Sequence, residues 1–272
     1  MTTAATTAPE RRRRRLSGSN FALGAIGLFS IGALLEILPR IGVMDRRFFP
    51  PSSEILTMLL RQLGEPGFWT AVGQTMRGWA IGLTIAMVAG VLAGVVIGSI
   101  PVLREFTAST IEFLRPIPSV ALIPLVVLLY GTKIQSALIL IVYAAFWQIL
   151  VQVLYGVADV DPVVRDTARS YRFSRWTQFK QVVWPTALPY VVTGFRLAAA
   201  VALILEVTAE LVIGVPGLGR NLGIAQSSGA VTLTYALVVA IGIIGIIINL
   251  FARYIERRVL RWHPSVRRDV AA

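Results

Sequence analysis

The sequence predicts an all-α polytopic membrane protein with about six transmembrane helices. Hydrophobic residues make up 56% of its 272 residues and charged residues only 15%, and the mean hydropathy is +0.72. Long apolar runs recur along the chain, and each can cross roughly 30 Å of hydrocarbon as a helix. Basic residues gather at the ends of these runs, which is the arrangement that membrane topology favours.

The composition also excludes several classes of site. The chain carries 26 Lys and Arg against 14 Asp and Glu, a formal charge of +12. In a soluble protein this charge would suggest a nucleic-acid partner, but here membrane topology accounts for it. The absence of cysteine excludes disulfides, thiol catalysis and sulfur-ligated metals, and the single histidine, His263, cannot build a metal site or a catalytic triad by itself. We therefore expect no catalytic residue, no metal site and no nucleic-acid partner.

The first twenty or so residues, 1–20, are predicted to be a disordered basic segment held in the cytoplasm by Arg11 to Arg15. A signal peptide is not expected, because no small-residue cleavage site followed by a soluble domain appears. The transmembrane domain then covers residues 21–258, beginning with a span from Phe21 to Leu38, and residues 259–272 form a basic cytoplasmic tail.

Residues 39–75 are mixed in polarity and predict an external loop with a helix lying along the membrane surface. Pro50 and Pro51 forbid a helix at that point, and Ser52 or Ser53 can cap the helix that follows. The second span, 78–99, carries small residues at every fourth position, which let another helix approach closely. These residues are Gly78, Gly82, Ala86, Gly90, Gly94 and Gly98.

A cytoplasmic turn containing Arg104 and Glu105 leads into a third apolar region, which three prolines interrupt. They are Pro116, Pro118 and Pro124. Proline in a span frees carbonyl groups and kinks the helix, so protein or a water-filled cavity must satisfy those carbonyls. A kinked helix beside a transport pathway and a simple packing kink are both consistent with this pattern. The fourth span runs from Ile134 to Ala158.

Residues 159–189 form a polar island that predicts two short helices joined by a bend near residues 171–173. Asp161 is a suitable N-cap with Pro162 in the first turn, Ser174 starts the second helix, and Trp184-Pro185 stops it. Charged side chains on both helices must face water or a partner, which indicates a docking surface. They are Arg165, Asp166, Arg169, Arg172, Arg175 and Lys180.

The fifth span, 190–213, contains Arg196, Glu206 and Glu210. Ionisable groups in a membrane face a bundle interior or an aqueous cavity, and the two glutamates share one helical face. They could form a proton relay, but a simpler interpretation is that Glu210 binds backbone N–H groups of the glycine-rich loop 214–221. That loop lacks the lysine of a phosphate-binding loop, so we expect no nucleotide site in this chain.

A sixth span, 233–254, precedes the basic tail. An even number of spans places both termini on one side of the membrane. Because basic residues are more numerous on that side, we expect the termini and the helix pair to be cytoplasmic.

The helix pair resembles the coupling loop of ABC importer permeases, whose pattern is E-A-A, three residues, Gly, nine residues, then Ile-x-Leu-Pro. Asp166-Thr167-Ala168 stands at E-A-A, Arg172 at Gly, and Val182, Trp184 and Pro185 at the last three positions. The stretches FFPPSSEIL, FLRPIPSVALIPLVVLLYGT and SRWTQFKQVVWPTALPYVVTGFRLA are similar to the nitrate, sulfonate and taurine branch of that family. The resemblance implies a type I ABC importer permease fold with cytoplasmic coupling helices.

The resemblance further implies a non-catalytic permease subunit in the bacterial cytoplasmic membrane that imports a small solute such as a sulfonate, taurine or nitrate. Its partners would be a second copy of itself, two cytoplasmic ATPase subunits that bind ATP and Mg, an external solute-binding protein and membrane lipid. The chain itself would need no cofactor.

The residues expected to couple to the ATPase are Asp161, Pro162, Arg165, Asp166, Thr167, Ala168, Arg169, Arg172 and Phe173. Those expected beside the pathway or gate are Pro118, Pro124, Leu203, Glu206, Val207 and Glu210.

The chain departs from the family pattern most clearly at Arg172. If the bend needs a left-handed residue, a side chain there costs on the order of 1 kcal/mol. Either the bend has another geometry, or the arginine makes a contact that offsets this strain. Two other classes of protein also have to be considered. A secondary transporter or channel would show internal repeats and charge relays, and a membrane scaffold would have no reason for kinked, glycine-striped helices around a folded loop.

Overall fold

The computed structural model describes residues 17–262, and all regular structure within them is helical. The predicted basic N-terminus up to residue 16, and residues 263–272 with His263, lie outside this range. The chain divides into two compact units, and the boundary in the sequence falls between Leu56 and Thr57. The helices are α1 (Ser17–Arg40), α2 (Ser52–Leu63), α3 (Pro66–Ser99), α4 (Pro101–Leu114), α5 (Ile123–Tyr130), α6 (Ile134–Ala158), α7 (Pro162–Ser170), α8 (Arg175–Gln178), α9 (Trp184–Ile213), α10 (Leu218–Ser227) and α11 (Val231–Val259).

In the first unit, α1 covers the predicted first span, and its last turns hold the start of α2. The Glu36 carboxylate accepts hydrogen bonds from the Ser53 backbone N–H at 2.9 Å and from the Ser52 hydroxyl at 2.9 Å, and it pairs with Arg40. Ser52 and Ser53 were predicted to cap α2. The carboxylate of Glu36 instead satisfies the Ser53 N–H, and the serine hydroxyls donate to it.

In the second unit, four helical runs among the described residues are long and apolar enough to cross a membrane. They are Pro66–Ser99, Ile134–Ala158, Arg175–Ile213 and Val231–Val259. A fifth crossing is formed if α4 and the segment Ser119–Tyr130, which are bent by 79° at their junction, are counted as one broken span. The predicted fourth span coincides with α6, and the predicted sixth span lies within α11.

Two predicted loops are in fact helical. Residues 66–75 were assigned to an external loop, but α3 starts at Pro66. The turn predicted around Arg104 and Glu105 is part of α4, which starts at Pro101. Both errors have one cause. A proline can begin a helix, because the N–H that it lacks has no partner in the first turn.

In the broken third span, side-chain hydroxyls bond the carbonyl groups at the end of α4 and after α5. Residues 115–118 separate α4 from a short 3₁₀ turn, Ser119–Leu122, that leads into α5. The Tyr143 hydroxyl donates to the Leu114 carbonyl at the end of α4, at 2.7 Å. The Ser136 hydroxyl donates to the Gly131 carbonyl at 2.7 Å. Pro124 lies in the first turn of α5, so the bend is produced upstream of it, around Pro116 and Pro118.

The predicted stop at Trp184-Pro185 is wrong. A π-helical segment, Phe179–Val183, joins α8 to α9 and makes one helical run of 39 residues, Arg175–Ile213. Proline removes an N–H donor and crowds the preceding turn. The wider π turn ahead of Pro185 accommodates this crowding without ending the helix.

Helix α3 packs against α6 through its stripe of small residues, as predicted. Gly78, Gly82, Ala86, Gly90 and Gly94 are all buried. A Cβ atom placed at Gly90 would lie 2.9 Å from the Ile149 Cβ, and one at Gly94 would lie 2.7 Å from the Val153 Cβ. The branched side chains of α6 thus rest directly on the backbone of α3, and a larger residue in the stripe would separate the two helices.

We therefore predict that Gly90→Leu destabilises the bundle by about 1–3 kcal/mol, the usual cost of overpacking. Gly73→Leu is the matched control, because Gly73 lies on the same helix with open space around its Cβ position. The thermal unfolding midpoint of the purified protein and its monodispersity on gel filtration would report the effect. Equal stability of the two variants would contradict this packing.

Candidate functional site

The polar island folds as predicted into two capped helices. The Asp161 carboxylate accepts a hydrogen bond from the Val163 N–H at 2.7 Å, with Pro162 as the first residue of α7. The Ser174 hydroxyl accepts one from the Thr177 N–H at 3.2 Å, which starts α8. Because both caps come from within the island, the pair is a locally defined structure.

Large apolar side chains are exposed on this pair. Val163 is 71% exposed, Tyr171 75% and Trp176 70%. Sequence reasoning singled out the charged residues and missed these three. The available signal was their position inside an otherwise polar segment, where no membrane or core explains them. Three large exposed apolar side chains on one short helix pair indicate an interaction surface.

The predicted coupling residues lie together on and around α7. Asp161, Pro162, Asp166, Thr167, Arg169, Arg172 and Phe173 are exposed, and Arg165 is half-buried. Ala168 is only 5% exposed, so it lies on the buried side of α7. The ion pair between Asp166 and Arg169, at 3.3 Å, is largely exposed and contributes little to stability.

Arg172 adopts the left-handed conformation that glycine adopts without steric strain. Its φ angle is +53°, and it is the only non-glycine residue with positive φ in the described part of the chain. The Phe173 N–H donates to the Ala168 carbonyl at 3.0 Å, and the Arg172 N–H donates to the Arg169 carbonyl at 2.9 Å. These two bonds define a Schellman motif, in which the left-handed residue follows the helix end. The bend therefore uses a left-handed residue, and an arginine occupies this strained position.

The residues predicted beside the pathway are divided between the third and fifth spans. Pro118 and Pro124 are exposed. On α9, Leu203 is 7% exposed and Val207 is half-buried. Leu203 faces α11, where a Cβ atom at Gly245 would lie 3.5 Å from the Leu203 Cδ2.

Glu210 joins three elements through a buried hydrogen-bond network. The Thr75 hydroxyl on α3 donates to Glu210 Oε1 at 2.7 Å, and the Gly219 N–H donates to Oε2 at 2.8 Å. The Leu218 N–H donates to the Thr75 hydroxyl at 3.0 Å. The predicted bonding of Glu210 to the glycine-rich loop is confirmed. Thr75 could not be found from the sequence, because it lies 135 residues from Glu210 and no local pattern connects them.

This network caps α10, a helix that the sequence did not predict. Leu218 and Gly219 are its first two residues, and their N–H groups have no partner within the helix. Gly217 allows the carboxylate to come this close, because any Cβ at that position would collide with it. The end of α9 is thereby fixed to the start of α10.

Glu206 lies one turn earlier on α9 and is 1% exposed. Its carboxyl group packs against the backbone of α3 at Gly78, where a Cβ atom would collide with it. The Oε2 atom has no hydrogen-bond partner among the described residues. The Glu206 side chain thus faces a neighbouring helix in the bundle interior, one of the two environments expected for an ionisable group in a span.

Comparison with known proteins agrees with this geometry. The family model described as "binding-protein-dependent transport system inner membrane component" matches residues 82–261, which include the helix pair and both glutamates. The chain belongs to this family. It is therefore a multi-pass inner-membrane permease subunit of an ABC importer, and such a subunit works with ATPase and binding-protein partners.

Two curated relatives share most of the permease. It is 31% identical over 248 residues to the taurine transport system permease protein TauC of Escherichia coli (strain K12), which covers 87% of this chain and 90% of the relative. It is 29% identical over 195 residues to the bicarbonate transport system permease protein CmpB of Synechococcus elongatus, covering 71% and 70%.

A solved structure confirms the type I importer fold. The inward-facing MetNI methionine ABC transporter matches the permease with a TM-score of 0.61 at 20% sequence identity, covering 72% of this chain and 98% of that chain. At this level of identity the likeness concerns the fold alone.

The left-handed Arg172 leads to a testable prediction about the permease. Arg172→Gly should slow hydrogen exchange at the amides of residues 172 and 173 and stabilise the bend by up to about 1 kcal/mol, because glycine adopts this conformation without steric strain. Arg172→Ala is the control, since it removes the guanidinium but keeps the Cβ. Faster exchange in the glycine variant would show instead that the arginine side chain stabilises the bend.

Proposed function

We propose that the permease forms the translocation pathway for a small oxyanion or sulfonate, such as taurine, nitrate or a similar solute. The relatives support this substrate class, since they are named as permeases for taurine and bicarbonate, for nitrate and for aliphatic sulfonates. ATP hydrolysis takes place in partner subunits that bind ATP and Mg, so the permease needs no cofactor and catalyses no reaction.

The observation that carries the proposed coupling mechanism is the exposed surface of α7. The helix is capped at its start by Asp161 and closed at its end by the Schellman motif, so it is preorganised before a partner binds. Val163 in α7, and Tyr171 and Trp176 beyond its end, expose apolar surface that a partner could bury. We assign this surface to contact with the ATPase subunit, together with the exposed coupling residues other than Arg169. They are Asp161, Pro162, Asp166, Thr167, Arg172 and Phe173.

The proposed assembly contains two copies of the permease, two ATPase subunits and an external solute-binding protein. Both termini and the helix pair lie in the cytoplasm, because the basic residues favour that side. A movement of the ATPase at α7 reaches the membrane directly, since α8 continues into α9 as one helical run.

A bulky residue in the α7 surface should disrupt coupling. We expect Asp166→Trp to lower ATP-dependent uptake into proteoliposomes at least tenfold, with loss of the co-purified ATPase or with ATP hydrolysis that no longer depends on solute. Glu105→Trp is the matched control, because Glu105 is also an exposed carboxylate on a helix but lies outside the α7–α8 pair.

Taurine, nitrate and bicarbonate would be compared as solutes in this assay. Wild-type uptake that continues without ATP would favour an ion-coupled transporter or channel. Normal coupling in Asp166→Trp would contradict the assigned ATPase surface while leaving the solute result valid.

The gate is proposed to include α9 around Leu203, Glu206 and Val207, close to the two-fold axis of the dimer. Rigid-body movement of the two subunits would then change the separation of these residues in the two copies. Since the chain has no cysteine, Val207→Cys can be cross-linked without background. We expect its cross-linking yield to change when ATP is added, whereas Ile246→Cys, an exposed position on α11, should not respond. Equal yields at Val207 with and without ATP would contradict this gate.

A further inference from the structure

A cavity of about 530 Å³ lies where α7 and α8 approach the ends of the membrane helices. Its walls come from the junction of α3 and α4, the last turns of α6, the α7–α8 pair and the π-helical segment. The lining residues are Ser99, Ile100, Pro101, Val157, Arg165, Arg169, Arg175, Gln178, Phe179 and Val183. The proposed contact between α7 and the ATPase gives this cavity no role.

Three arginines and no acidic residue line the cavity. Arg165 is half-buried, while Arg169 and Arg175 are more exposed. Asp166 pairs with Arg169 at 3.3 Å, but it does not line the cavity. The site therefore carries a surplus of positive charge and is suited to an anion that accepts several hydrogen bonds.

The start of α4 adds to this preference. Helix α4 is 14 residues long, and Ile100 and Pro101 at its N-terminus both line the cavity. No side chain caps this terminus. A helix N-terminus presents free N–H groups and the positive end of the helix dipole, both of which favour an anion. The three arginines and the uncapped terminus are independent features that indicate the same ligand charge.

The remaining walls are apolar, through Ile100, Val157, Phe179 and Val183. These residues lie at or next to the ends of the candidate membrane spans, an arrangement that favours a position near the lipid headgroups. A free inorganic anion would gain nothing from the apolar walls, whereas a lipid would place its headgroup among the arginines and its glycerol and first methylenes against them.

The positions of the arginines on α7 separate this cavity from the ATPase surface. Arg165 and Arg169 are four residues apart and share one helical face. The exposed apolar residue Val163 lies about 200° from Arg165 around the same helix. A partner resting on Val163 therefore leaves the arginine face free for another ligand.

We propose that this cavity binds the phosphodiester headgroup of an anionic phospholipid and thereby attaches the α7–α8 pair to the membrane surface. The arginines and the α4 N-terminus bind the phosphate oxygens, and the apolar walls contact the lipid backbone. Bound lipid stabilises the helix pair in the position in which its opposite face meets a partner.

The test measures lipid binding by the purified full-length permease without ATPase. Native mass spectrometry would count phosphatidylglycerol and phosphatidylcholine bound to the wild type and to Arg165→Gln/Arg175→Gln. We expect the wild type to prefer phosphatidylglycerol and the double variant to bind it roughly 25-fold more weakly, about fivefold for each guanidinium removed. Arg257→Gln/Arg258→Gln, two exposed arginines at the end of α11, is the matched control and should bind as the wild type does.

Further measurements separate the alternatives. Arg165→Lys/Arg175→Lys keeps the charge and should retain most of the binding, which would exclude a folding defect as the cause of the loss. A thermal shift with inorganic phosphate equal to that with phosphatidylglycerol vesicles would overturn the lipid assignment. So would a wild type without preference between the two lipids, or a glutamine variant that loses ATPase binding but keeps its lipid. Because no ATPase is present in the lipid assay, its result does not depend on the proposed coupling mechanism.

Discussion

Backbone polar groups in a membrane must find their partners inside the protein, and this constraint accounts for two places in the second unit where a helix ends or begins. Where α4 ends, the Tyr143 hydroxyl satisfies the Leu114 carbonyl. Where α10 begins, Thr75 and Glu210 accept its first N–H groups. In both places a side chain from another helix takes part, at Leu114 together with the Ile117 N–H. The packing of the bundle therefore stabilises these two helix ends.

The same constraint makes α9 a continuous connection between two distant features. Its helical run begins at Arg175, beside the exposed Trp176, and ends at Ile213, one turn after Glu210. The π-helical segment before Pro185 is the one irregular turn between α8 and α9. A helix transmits displacement well along its axis, because each turn is hydrogen-bonded to the next. A movement of α8 would therefore reach Glu206, Glu210 and the start of α10 without an intervening hinge loop.

Local signals in the sequence predicted local structure well. The bounds of α6, the caps at Asp161 and Ser174, and the small-residue stripe of α3 depend on residues close in sequence, and the structure confirms them. Proline caused most of the errors, since it starts a helix at Pro101 and is absorbed by a π turn at Pro185, and only the packing decides between these outcomes. The partners of Glu210 were partly predictable from the nearby glycines. Thr75 was not, because α3 and α9 meet only in the folded chain.

Helix α7 is short but presents two chemically different faces. Nine residues give two and a half turns, enough for one face with Val163 and another with Arg165 and Arg169. Such a short helix is unstable alone, so its ends have to be fixed. Asp161 fixes the first, and the Schellman bonds at Arg172 fix the second. The strained arginine is tolerated because this motif determines where α8 starts, and with it the direction in which the 39-residue helical run enters the membrane.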